Sequence, residues 1–125
     1  MQNRLKKANL EKIKARLRSY SKEDIEFNEP HFSIKLDREK IDLKEVIKNV
    51  LKPDKLVFAG ISKSKNPNYK YVFDLYFKLS KNRIFKIPVS MKSKSLYLIT
   101  IFKITRRIQD EAIKYYQKAK YHQKS

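Results

Sequence analysis

The chain has 125 residues, and its 31 Lys+Arg against 13 Asp+Glu give a formal net charge of +18. That length supports one domain around one modest core, and the charge is far beyond what solubility asks of a small domain. With no Cys, disulfides and thiolate metal sites are excluded. With Gly60 as the only glycine, so is the glycine-rich phosphate cradle of nucleotide-dependent enzymes.

A surplus of this size costs self-repulsion, so a polyanionic partner is the physical expectation: nucleic acid first, an anionic membrane surface second. A Lys-rich proteome would give the same composition with no such partner. The N-terminus is basic, but no apolar run follows it and no window reaches transmembrane length. The expectation is therefore a cytoplasmic protein without a membrane partner.

Residues Asn3 to Tyr20 predict a helix, because Leu10, Ile13 and Leu17 recur at helical spacing with Leu5 before them. Lys6, Lys7, Lys14, Arg16 and Arg18 surround that stripe and make its outer face basic. Ser21 and Asp24 have capping-box spacing for one further turn. A polar linker holding Pro30 and His31 follows, and Phe32 to Leu36 reads either as a short strand or as an extended approach. The next helix is well marked. Asp42 is its N-cap, Glu45 closes a capping box, Ile41 and Val46 form a staple, and Pro53 ends it.

Leu56 to Ile61 predicts an opening strand, and Ser62 to Asn68 a basic loop with Lys63 and Lys65. Three strands in a meander come next. Tyr71, Phe73, Leu75, Phe77 and Leu79 share one parity in the first. Arg83 to Val89 form the second, with Phe85, Ile87 and Val89 on one side. Leu96 to Ile104 form the third, after a turn carrying Lys92 and Lys94. With a lone Gly, left-handed turn positions are expected at Asn66, Asn68 and Asn82. From Ile104 the period switches to helical, with Ile108, Ala112, Tyr115, Tyr116 and Ala119 on one stripe. Arg106 and Arg107 in the first turn of that helix oppose its dipole, which suits an anionic partner.

The expected architecture is α+β: a four-stranded antiparallel sheet with two N-terminal helices and one C-terminal helix. The expected organisation is a single domain over 1–125, with a basic helix over 1–20, a core over 27–105 and a C-terminal helix over 106–120.

The core also resembles a known family. His31-Phe-Ser-Ile-Lys35, Ile41-Asp42-Leu-Lys-Glu45-Val46 and Val50-Leu-Lys-Pro53-Asp54 match its opening. Tyr71-Val72-Phe73, Arg83-Ile-Phe-Lys-Ile-Pro-Val89 and Leu98-Ile-Thr-Ile-Phe102 match its strands. Over 27–105 the chain resembles small prokaryotic and archaeal domains related to RelE-like and BrnT-like toxins, which are compact ribonucleases of toxin–antitoxin pairs. That family commonly has Arg where Lys35 and Glu39 stand here.

The resemblance implies RNA binding and metal-independent RNA cleavage. Such cleavage needs a base for the 2′-hydroxyl, cations on the phosphoryl oxygens and an acid for the leaving oxygen. His31 suits either proton role. Lys35, Arg38, Arg83 and Lys86 are candidate phosphate clamps, and Tyr97 an acid or stacking platform. Each also has a bland reading: a packed histidine, solvated lysines, a half-buried sheet tyrosine. Carboxylates are not clustered for a two-metal site, so no metal or other cofactor is expected.

The alternative is a non-catalytic, sequence-nonspecific DNA- or RNA-binding protein. Its phosphate contacts would come from the N-terminal helix, Arg38, Lys63, Lys65, Lys92, Lys94, Arg106 and Arg107. An acidic antitoxin covering the basic face and a homodimer through an uncovered sheet edge are further expected partners.

Overall fold

The computed structural model describes residues 6–104. Ten α-helices and strands follow in chain order: β1 (Lys6–Lys7), α1 (Leu10–Arg18), β2 (Ile25–Phe27), α2 (His31–Glu39), α3 (Leu43–Leu51), β3 (Leu56–Lys63), β4 (Tyr71–Ser80), β5 (Arg83–Met91), β6 (Leu96–Leu98) and β7 (Phe102–Ile104), with one short 3-10 turn, Lys22–Asp24, before β2. They build a sheet of seven strands, ordered β1-β3-β4-β5-β6-β2, with β7 also paired to β5.

This corrects the expected four-stranded sheet. The long antiparallel meander is present, but two short strands, β1 and β2, were not foreseen, and the expected last strand is divided in two. β1 pairs antiparallel with β3, so Lys6 and Lys7 belong to a strand and the first helix starts only at Leu10. Asn9 caps that helix by accepting from Lys12 N–H at 3.1 Å. β2 pairs parallel with β6, which makes the sheet mixed rather than purely antiparallel. The expected last strand is broken at Ile99–Ile101 into β6 and β7, both paired to β5. Pro88 of β5 has no N–H to donate, and Ile99 N–H reaches its carbonyl across the break.

The helices also differ in number. His31 and Phe32–Leu36 lie in a helix, α2, so three helices rather than two precede the long strands. Phe32 is the buried anchor of α2, and its ring packs on Phe27 at 5.1 Å. The expected C-terminal helix over 106–120 lies outside the described residues. The positive-φ expectation fails too. Among the described residues only Lys40, the C-cap of α2, has positive φ (55°), and none of Asn66, Asn68 or Asn82 does.

One face of the sheet carries the main core. Leu75, Phe77, Phe85, Ile87 and Val89 meet Ile13 and Leu17 of α1 and Val46 and Val50 of α3. Each such side chain removed from water contributes about 1.5–3 kcal/mol. A register shift between Leu56 and Phe58 turns Leu56 onto this face while Val57 stays exposed. The opposite face carries a cross-strand row of Phe58, Tyr76, Lys86 and Phe102, read from the pairings of β3, β4, β5 and β7. Phe58 and Tyr76 in that row are buried as well, edge to face at 5.7 Å.

The borders of the sheet are short strands, which limits pairing with another chain. At β7, Glu39 of α2 accepts from Lys103 N–H at 3.2 Å and occupies an edge donor. Glu39 thus has a structural use at the border of the sheet. Asp42 caps α3 by accepting from Lys44 N–H at 3.0 Å. Glu45 does not close the expected box; its carboxylate goes to Arg83.

Candidate nucleic-acid interface

The start of α2 is held against the break between β6 and β7. Asn28 N–H donates to the Leu98 carbonyl and its side-chain amide to the Ile99 carbonyl. His31 Nε2 then lies 2.9 Å from Thr100 Oγ1. One turn along α2, Lys35 Nζ sits 4.5 Å from the centre of the Phe102 ring. From the sheet side, Lys86 Nζ lies 5.7 Å from the same ring and 5.9 Å from the Tyr76 ring. Two ammonium groups thus share one aromatic ring on a part of the sheet where Phe102 is exposed. Neither has a carboxylate at ion-pair distance among the described residues.

Of the five residues proposed for catalysis, the structure brings these three together: His31, Lys35 and Lys86. Arg83 projects to the other face. Two hydrogen bonds of 3.1 and 2.6 Å join its guanidinium to Glu45, and that carboxylate raises its pKa further. Tyr97 lies opposite Ser90, four positions along β5 from Lys86, or roughly 13 Å at strand rise.

Tyr97 belongs to a second place. It lines a cleft of about 190 Å³ with Glu26, Asn66, Asn68, Tyr69, Ser90 and Lys92. The Tyr69 and Tyr97 rings are 6.1 Å apart and tilted by 48°. Burial pushes the Tyr97 phenol up from its ordinary value, and Tyr69 and Glu26 add to the shift, so the hydroxyl holds its proton.

This cleft opens at the end of the sheet where the β3–β4 loop and the β5–β6 turn meet. Lys63, Lys65, Lys92 and Lys94 are all exposed there, with Lys70 between them and Nζ 5.6 Å from the Tyr71 ring. The loop is ordered by its own polar groups: Asn66 Oδ1 accepts from Asn68 N–H, and Ser64 N–H donates to the Lys70 carbonyl.

The other expected phosphate contacts are dispersed. Lys7 is exposed on β1, and the Lys6 side chain lies outside the described residues. On α1, Lys14 is half-buried, Arg16 Nε donates to Tyr20 Oη at 3.3 Å, and Arg18 pairs with Asp54 at 3.6 Å. Arg38 is exposed on α2, and Arg106 and Arg107 lie outside the described residues. Arg18–Asp54 and Arg83–Glu45 are the two ion pairs formed among the described residues, so most of the basic surplus there is uncompensated.

Sequence reasoning missed Phe102, Tyr69, Lys70 and Glu26. Two tyrosines and three lysines within the stretch Lys63–Tyr71 could have drawn attention to that end of the sheet. Glu26 gave no warning, because β2 itself was unforeseen. No group of three or more His, Cys, Asp or Glu that could hold a metal is found among the described residues, and no helix there is long and apolar enough to cross a membrane.

No family model, curated protein or solved structure matches this chain.

Proposed function

We propose that this protein binds single-stranded nucleic acid, RNA before DNA, through lysines interleaved with exposed aromatic rings. The observation that carries the reading is the sharing of the Phe102 ring by Lys35 and Lys86, both without an acidic partner among the described residues. Two cations held together repel each other, and a phosphate between them relieves that repulsion. An exposed ring beside them offers a base a surface to stack on. The Lys-rich loops at the end of the sheet extend the positive surface. The preference for RNA rests on the resemblance to RNA-cleaving toxin domains.

The test is fluorescence anisotropy with a labelled single-stranded RNA across a salt series. Binding should be firm at low ionic strength and weaken steeply with salt, with a slope that counts the phosphates contacted. Lys35→Ala and Lys86→Ala should each flatten that slope by about one phosphate. Failure to retain either RNA or DNA at low salt overturns the proposal.

A second reading, metal-independent RNA cleavage, is favoured by one observation: His31, Lys35 and Lys86 surround the Thr100–Phe102 segment. There His31 would move the proton and the lysines would steady the phosphoryl oxygens. Incubation with RNA in EDTA decides it. Cleavage that disappears in His31→Ala supports this reading, and intact RNA at high protein excess rejects it.

A further inference from the structure

We infer that the Tyr69–Tyr97 cleft is a pocket for an unstacked guanine base of the bound strand. The inference rests on the single-strand-binding reading and adds to it a base preference.

Three features of the cleft point the same way. Its two tyrosine rings are 6.1 Å apart and inclined at 48°, an open jaw rather than a closed stack. A splayed base can lie on either ring, as bases do on aromatic side chains in single-strand recognition. Next, Glu26 stands beside Tyr97 in the β2–β6 pairing and lines the same cleft. It is exposed and takes part in neither ion pair of the described residues, although the chain around it is rich in lysine. Finally, Lys92 lies on the rim, with Lys63, Lys65 and Lys94 in the adjoining loop and turn, placed for the flanking phosphates.

A carboxylate in a site for a polyanion needs a reason, since it repels phosphate. An ionised carboxylate only accepts hydrogen bonds, and it accepts two side by side. Guanine is the base whose pairing edge presents two adjacent N–H donors, N1–H and the N2 amino group. Adenine and cytosine place an acceptor nitrogen beside their amino group. Uracil flanks its single N–H with two carbonyls. Glu26 therefore accepts from guanine and repels part of every other base edge. The protonated Tyr97 hydroxyl and the side-chain Nδ2–H of Asn66, whose Oδ1 is already engaged by Asn68, remain as donors for guanine O6.

The experiment measures anisotropy of the full chain with labelled oligouridylates that differ at one central position. A single guanosine should tighten binding roughly tenfold over all-uridine, as a bidentate base contact does. Inosine, which lacks the N2 amino group, should lose most of that gain. Glu26→Gln should abolish the guanosine preference, so that the guanosine and uridine strands bind alike. Tyr69→Ala should weaken the guanosine strand more than the uridine one.

Equal affinity for all central bases overturns the guanine pocket while leaving single-strand binding intact. No binding of any strand at low salt overturns both. Free guanosine monophosphate should compete only weakly. Competition by the mononucleotide as strong as by the strand would reassign the cleft to a free nucleotide and overturn the strand-bound form of the inference.

Discussion

The hydroxyl of Tyr20 donates to the carbonyl of Lys92, a 2.5 Å hydrogen bond between residues 72 positions apart. It ties the end of α1 to the turn between β5 and β6, where Lys92 lines the tyrosine cleft. Tyr20 is buried, so its lost partner would not be replaced by water at no cost. Tyr20→Phe should destabilise the fold by about 1 kcal/mol. It should also loosen the turn, which amide hydrogen exchange at residues 92–95 would register as faster exchange there than in β4.

Arg83 and Glu45 form a part-exposed bidentate pair between β5 and α3, with side-chain exposures of 46% and 31%. Solvent screening keeps such a pair near the top of the surface range, so a double-mutant cycle with Arg83→Ala and Glu45→Ala should give a coupling of about 0.5–1 kcal/mol. Because Arg83 is already neutralised, Arg83→Ala should leave the salt slope of RNA binding nearly unchanged, in contrast to Lys86→Ala. Equal losses from the two variants would show that Arg83 leaves Glu45 for phosphate.

Glu29 accepts from both the N–H and the hydroxyl of Ser33 across the first turn of α2. Those bonds, the hydroxyl one first, hold its pKa below the ordinary carboxylate value. A depressed folded value means that its stabilisation is present above the unfolded pKa and lost as pH falls through the folded one. Ser33→Ala removes the larger cause and should move the Glu29 titration upward, as followed by NMR of the side-chain carboxyl. An unmoved titration would show that the hydroxyl contributes nothing.

Lys40 ends α2 in the left-handed region, with φ 55° and ψ 50°. Its Cβ crowds the backbone there at a cost of about 1 kcal/mol, which glycine avoids. Lys40→Gly should therefore raise the midpoint of urea unfolding, even though glycine widens the unfolded ensemble. The gain should approach, without reaching, that figure.

The long β-strands and α3 were legible because their patterns are local. Tyr71 to Leu79 alternates cleanly, and Leu75 and Phe77 do face the core. Asp42 caps α3, and the helix ends before Pro53. The short strands and the start of α2 were illegible because partners distant in sequence define them, whereas the turn capped by Ser21 and Asp24 is local and was read. Lys6 and Lys7 carry no strand pattern and are extended only because β3 lies beside them. The Asn28–Ile99 and His31–Thr100 contacts set where α2 begins, and neither residue type announces the other. The candidate site divided in the same way. His31 and Lys35 were picked out together by the resemblance, although the turn of α2 that they share was not foreseen. Phe102, the ring that Lys35 and Lys86 share, became visible only once β7 was placed against β5.

The arrangement of the sheet's borders bears on how the chain is made. β1 and β2 are synthesised first, yet they sit at opposite ends of the strand order, and among the described residues β2 pairs only with β6. While the ribosome is still adding residues before Leu96, β2 has nothing to join, and the growing sheet keeps an open border along β5. Completion waits for the last strands, so the slow contacts come late. During that interval the shared positive charge of the nascent chains keeps them from pairing with one another.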